Sequence, residues 1–345
     1  MKKLFLIYPI TLLFTIFLLD KVFLLPFFNE NFLQTGNVVY YKHREILFEK
    51  LKNRSVDSKK LLIAMGDSRA YSFSNMAFFG SKERANRKNI YDIYNFSGPQ
   101  AVPAYSLFWL ERMVEEGIKI ERIFLVLSPE GFDDNKRLMH KPFLRLGAEE
   151  EFVNRYKETI PEDDLNEYYL DKIFALRKVE LDYKLLVSRL KSKSMKEYDS
   201  RYNNEMLVLN LNNGEQLAYA NSVNDLDRLQ NDSVRMGNIY FYNFQLHETQ
   251  FIFTEKILEL CKKNNIKIDL LWMKVFPKYR ENFTKYRIED KWWKRIEELS
   301  DKYNMNVYNF NKIGECELYY DASHQSAFCY NEYINYLVDE MEKSK

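Results

Sequence analysis

Five short apolar runs, each ending in a polar or glycine-containing stretch, constrain this chain more than any other feature. They are Leu61–Met65, IYDIYNFSG ending at Gly98, Ile123–Leu127 within ERIFLVLSPEG, IKIDLLWMKVFP ending at Pro277, and MNVYNFN at 305–311. Runs this short and this continuously apolar read as strands buried on both faces, as in a parallel sheet. Between them, Ala104–Glu116, Thr249–Asn264, Trp292–Tyr303 and Ser326–Met341 carry apolar residues at helical spacing. Strands alternating with helices predict an α/β fold with a doubly wound, five-stranded parallel sheet.

Two segments fall outside that rhythm. Residues 141–240 show charged helical patterning and then a hairpin-like stretch around Asn212-Asn213-Gly214, which predicts an insertion or cap over the sheet. The amino terminus, MKKLFLIYPITLLFTIFLLDKVFLLPFF, has two lysines, an apolar run from Leu4 to Leu19, Asp20-Lys21, and a second apolar run to Phe28. At about 1.5 Å per residue the first run is short for a bilayer core of about 30 Å, whereas extension to Phe28 spans it. This predicts an N-terminal transmembrane helix, with Asp20 and Lys21 at the outer interface and Lys21 snorkelling. A cleavable signal peptide is the rival reading, but bulky residues stand where its small-x-small site belongs. Lys2 and Lys3 put the start in the cytoplasm and the rest outside.

The expected organisation is a signal-anchor at 1–28, a juxtamembrane linker and helix at 29–58, an α/β domain from 59–140 and 241–345, and the insertion at 141–240. Lys+Arg total 51 against 50 Asp+Glu, a net charge of +1, so no global field favours nucleic acid. The cysteines Cys261, Cys316 and Cys329 lack metal-ligand spacing. Their odd number gives no disulfide framework, although Cys316 and Cys329 can pair in an oxidising compartment.

Ligands of doubly wound sheets bind at the carboxyl ends of the strands. The first strand delivers Gly66-Asp67-Ser68-Arg69 there, the second Asn95-Phe96-Ser97-Gly98, the third Ser128-Pro129-Glu130 and the fourth Lys274 and Pro277. Asp321 and His324 follow the fifth. Taken singly, Gly66-Asp67-Ser68 is equally a plain turn, and Asp321-Ala322-Ser323-His324 equally an N-cap turn before the last helix. Together they supply a nucleophile, a base and a group that orients the base. Arg69 reads as a surface charge rather than a contact to an anionic substrate, His140 and His247 as structural, and Trp292-Trp293 as packing rather than sugar stacking.

Gly66-Asp67-Ser68, Gly98 and Asp321-x-x-His324 resemble the first, second and last blocks of the SGNH (GDSL-like) hydrolase superfamily. The resemblance implies a flavodoxin-like sheet over 59–140 and 241–345, with Ser68 as nucleophile, Asp321 as orienting acid and His324 as base. It also implies an oxyanion hole from the N–H groups of Ser68 and Gly98. The family's Gly-x-Asn-Asp block is replaced here by LSPEGFDDN, where Ser128, or Asn135, stands in for the asparagine donor. With its apolar N-terminal segment the chain is similar to the membrane-anchored bacterial branch, the D-alanyl transfer and alginate O-acetylation families. That implies an extracytoplasmic O-acyltransferase acting on a cell-envelope polysaccharide without a cofactor, working with a multi-pass membrane acyltransferase. An esterase using the same triad, or a non-catalytic envelope scaffold, are the alternatives.

Overall fold

Each of the five apolar runs becomes a strand in the computed structural model, which describes residues 2–22, 25, 36–55, 59–79, 81–133, 147–178, 187, 191, 213–215, 219 and 221–343. The strands are β1 (Lys60–Gly66), β2 (Tyr91–Asn95), β3 (Arg122–Val126), β4 (Lys267–Trp272) and β5 (Asn306–Asn309). They form one five-stranded sheet in the order β2-β1-β3-β4-β5, with every neighbouring pair parallel. This is the doubly wound order in which the chain reverses direction between β1 and β3. The helices are α1 (Lys2–Val22), α2 (Gly36–Lys52), α3 (Lys82–Ile90), α4 (Pro103–Glu115), α5 (Glu150–Arg155), α6 (Glu162–Ile173) and α7 (Ala175–Lys178). After them come α8 (Leu226–Phe241), α9 (Glu248–Lys263), α10 (Pro277–Lys285), α11 (Lys294–Tyr303), α12 (Phe310–Ile313) and α13 (Tyr330–Lys343). The chain divides into two units, Met1–His43 with Leu138–Met206, and Arg44–Arg137 with Leu207–Lys345.

The second unit holds the sheet. Side chains alternate along a strand, so Leu62, Ala64, Phe124 and Val126 share a face. They form one core with Tyr330, Tyr333, Ile334, Leu337, Val338 and Met341 of α13, spaced as an amphipathic helix requires. On the other layer α4 packs on α9, with α4 touching β1 and α9 touching β4. Local chemistry sets the helix ends. Pro103 opens α4, where a missing N–H costs nothing. Asn304 closes α11 in the left-handed region at φ 56°, letting Met305 N–H reach the Ser300 carbonyl at 3.0 Å. The adjacent tryptophans lie in a π-helical turn, Glu289–Trp293, buried against Trp272, so they are packing residues as expected.

The first unit contains α1, α5, α6 and α7. Every α1 side chain from Ile7 to Leu19 is exposed. Among the described residues no helix is long and apolar enough to cross a membrane, so the transmembrane helix expected over 1–28 is not found. The helix is described to Val22, and residues 23, 24 and 26–28, which were to complete the span, lie outside the described residues. Asp20, expected at a bilayer interface, is buried instead. Its carboxylate accepts the N–H groups of Ala175 at 2.7 Å and Leu176 at 2.9 Å, capping α7. Lys21 donates to the Ile173 carbonyl. Asn212 of the predicted hairpin also lies outside the described residues. Its neighbour Asn213 accepts the Asn95 N–H at 2.7 Å, so this stretch runs along the β2 edge.

Candidate active site

The polar stop after β1 is both a turn and a site. Gly66 has φ +123°, and a Cβ there would lie 2.2 Å from the Val126 carbonyl oxygen, so only glycine permits β1 and β3 to approach at that point. Asp67 then caps a short 3-10 turn, Ser68–Ala70, its Oδ1 accepting the Arg69 N–H at 2.9 Å. That cap leaves Ser68 first in the turn, with an N–H that has no acceptor among the described residues. Ser68 thus stands past the end of β1, at the switch point of the sheet.

The loop between α12 and α13 brings His324 to it. His324 Nε2 lies 2.7 Å from Ser68 Oγ, across a sequence separation of 256 residues. On the other ring nitrogen, Nδ1 is 2.9 Å from Asp321 Oδ1 and 3.0 Å from Oδ2. Asp321 Oδ1 also accepts the N–H groups of Ser323 at 2.8 Å and His324 at 2.9 Å. Burial raises the Asp321 carboxyl, but the hydrogen bond and charge of His324 and the two backbone N–H groups outweigh it and hold the group at about 2. A carboxylate on Nδ1 fixes the tautomer with the proton there, leaving the Nε2 lone pair for the Ser68 hydroxyl.

Two expectations about the surroundings are corrected. Gly98 does not offer a free N–H: it donates to the Gly66 carbonyl at 2.9 Å, continuing the ladder in which Phe96 N–H donates to Ala64. The parallel register runs three residues past β2, to Gly98, and consumes the amide. Arg69 is not a surface charge. It is 5% exposed and forms a two-pronged pair with Glu130, at 2.9 and 2.5 Å. Ser128 is 4% exposed, two residues beyond Val126 as Ser68 is beyond Gly66, and its Oγ has no hydrogen-bond partner among the described residues. Asn135 and His140 lie outside the described residues. His247 is structural as expected, capping α9 with Nδ1 on the Thr249 N–H at 3.2 Å.

Two features escaped the sequence reading, and a third was named there only as a pairing that can form. Asn95, fully buried, donates to the carbonyls of Ala70 at 2.7 Å, Tyr71 at 3.1 Å and Phe73 at 3.0 Å, which shapes the chain just after Ser68. Its signal was an amide at the end of an apolar strand. Tyr219 lays its ring on the His324 imidazole, centroids 4.3 Å apart and 24° from parallel, and no periodicity announces it. Cys316 and Cys329 are joined in a disulfide, so the loop holding Asp321 and His324 is closed at both ends.

The fold and this geometry can be set beside known proteins. No curated protein matches the chain in sequence. Among solved structures, a GDSL-like lipase from Bacteroides thetaiotaomicron is 12% identical, with 89% of this chain and 100% of that chain covered and a TM-score of 0.41. A candidate acylhydrolase from Bacteroides fragilis is 10% identical, with coverage of 88% and 95% and a TM-score of 0.39. Likeness at this level fixes no activity. The family model described as "Protein of unknown function (DUF1574)" matches residues 1–341, nearly the whole length, and the chain belongs to that family.

Proposed function

We propose that this protein is an ester-active serine enzyme that takes an acyl group onto Ser68 Oγ. The observation that carries the reading is the relay Ser68–His324–Asp321, closed at 2.7 Å on one ring nitrogen and 2.9 Å on the other. As Ser68 Oγ attacks the ester carbonyl, its proton passes to His324 Nε2, and the negative Asp321 stabilises the imidazolium that forms. The carbonyl oxygen becomes an oxyanion, for which the Ser68 N–H is a free donor and the Ser128 hydroxyl a second. Collapse breaks the ester bond, and His324 returns the proton to the leaving alcohol, leaving an acyl ester on Ser68. A second hydroxyl, from water or from an acceptor, repeats the sequence and restores the serine.

The finer reading is O-acyl transfer to a hydroxyl of a cell-envelope polysaccharide by a membrane-anchored, extracytoplasmic domain, with a multi-pass membrane acyltransferase as donor. Three features support it: the residue-level resemblance to the membrane-anchored SGNH branch, the Cys316–Cys329 disulfide, and the exposed apolar α1 behind two lysines. Disulfides persist in oxidising compartments outside the cytosol. Hydrolysis with the same relay is the esterase alternative.

The test uses the full chain with a serine-directed phosphonate and an activated ester. The phosphonate should label Ser68 and no other serine, and Ser68→Ala should abolish labelling with the fold intact. A folded wild-type protein left unlabelled sinks the reading. Offered an envelope polysaccharide, the acyl-enzyme should acylate it; release to water alone, whatever glycan is supplied, selects the esterase. Unchanged glycan acylation in cells carrying a stable Ser68→Ala protein selects the scaffold.

A further inference from the structure

We infer that Arg69 is a positioning residue for the base: clamped by Glu130 and Tyr279, its guanidinium holds the Ser323 carbonyl and through it keeps the Asp321–His324 turn within reach of Ser68. This rests on the triad reading above. The base does not come from a strand hydrogen-bonded to β1. It comes from a loop more than 250 residues further along the chain, so something besides the sheet ladder must fix its distance from the nucleophile.

Arg69 is placed to do that. It follows Ser68 directly, and its Nε donates to the Ser323 carbonyl at 3.0 Å. Nη1 and Nη2 donate to Glu130 Oε2 and Oε1 at 2.9 and 2.5 Å, and the Tyr279 hydroxyl donates to Glu130 Oε1 at 2.6 Å. Its main chain is held as well, N–H on Asp67 and carbonyl under the Tyr330 hydroxyl. Ends of β1, β3, the α10 helix and the base loop thus meet on one planar cation. Ser323 sits between Asp321 and His324, so a shift of its carbonyl moves both acid and base. The guanidinium offers rigid N–H vectors in two directions at once, two to a carboxylate and one to a carbonyl. A lysine ammonium is a point charge on a flexible stem and cannot reproduce that geometry. Burial works against both ions, but each holds the other charged: Arg69 is raised and Glu130 lowered by their mutual attraction.

The test compares full-length wild type, Arg69→Lys and Tyr279→Phe by the saturable rate of phosphonate labelling at Ser68. It also follows the low-field Nδ1 proton of His324 in protein carrying 15N-histidine; the chain has four histidines, and His324→Ala assigns the signal. Arg69→Lys should lower the maximal labelling rate about a hundredfold with half-saturation unchanged, the cost of misplacing a reacting group by about 1 Å. It should also shift or broaden the His324 proton. In a His324→Ala background Arg69→Lys should cause no further loss, because the clamp acts through the base. Labelling within about twofold of wild type, or an equal loss in the His324→Ala background, overturns the inference. Should Arg69→Lys not fold, Tyr279→Phe decides: it removes one hydroxyl, and the inference requires slower labelling with the His324 signal shifted, wild-type behaviour in both overturning it. A wild-type protein whose Ser68 resists the phosphonate instead overturns the triad reading itself.

Discussion

At Gly66 one missing methyl group decides whether two strands can meet. The sequence shows the glycine and suggests a turn; that the constraint is the Val126 carbonyl opposite becomes visible only when β3 lies alongside. Gly66→Ala combines a left-handed φ with a hard contact, and should cost about 3 kcal/mol in denaturant unfolding. Asp321 makes a different prediction, in pH. Its carboxyl sits at about 2 when folded, against an ordinary 3.8, so the unfolded chain binds the proton more readily. Its contribution, about 2 kcal/mol, is full above the unfolded value and lost as pH falls through the folded one. In Asp321→Asn the stability–pH curve should flatten between about 4 and about 2, and ester turnover should drop about 10³–10⁴-fold for want of the correct imidazole tautomer. Asn95→Ala removes the side-chain amide shared by the carbonyls of Ala70, Tyr71 and Phe73, and should destabilise by about 2–3 kcal/mol, read from the shift in thermal midpoint.

The elements were the most legible part of the chain, and the loops the least. β1, β3 and β4 fall within a residue or a few of their apolar runs because a strand buried on both faces leaves an uninterrupted signature in sequence. Helix α13 was legible from its spacing, but its start was not: a 3-10 turn, Ala327–Cys329, precedes Tyr330. The three residues that meet, Ser68, Asp321 and His324, stood out in the sequence through their short motifs. Their setting did not, because register beyond a strand end, as at Gly98, is a property of two strands together. The base loop carries its own prediction. The Cys316–Cys329 bond has a sequence separation of 13. Cys316→Ser with Cys329→Ser should cost about 3 kcal/mol, and labelling of Ser68 should fall further than that stability loss explains, since the freed loop is the one that presents His324. Melting curves and labelling rates measured on the same samples separate the two effects.

At the scale of the molecule, the sheet-bearing unit gathers residues from both sides of the 138–206 stretch, and the candidate site spans that gap, Ser68 before it and His324 after. A sequence pattern read in windows recovers such a site only if the fold class is inferred first, which the alternating strands and helices allowed. A reporter fused after Lys345 should be active only outside the cytoplasm if the envelope reading holds, and activity inside would remove it. Arg69 was misread because its partner stands 61 residues away and comes within reach only when the sheet closes. That buried pair also has a consequence for how the chain can vary by descent. Loss of Arg69 leaves Glu130 a buried charge without its cation, which costs about 3–5 kcal/mol, and loss of Glu130 leaves Arg69 only the longer pair with Asp67 at 3.6 Å, so neither residue drifts alone without cost. Across related sequences the two positions should change together: chains with leucine after Gly-Asp-Ser should carry an uncharged residue two places past the serine that follows the third strand. An alignment with a free mixture of the four combinations would show that the pair is dispensable.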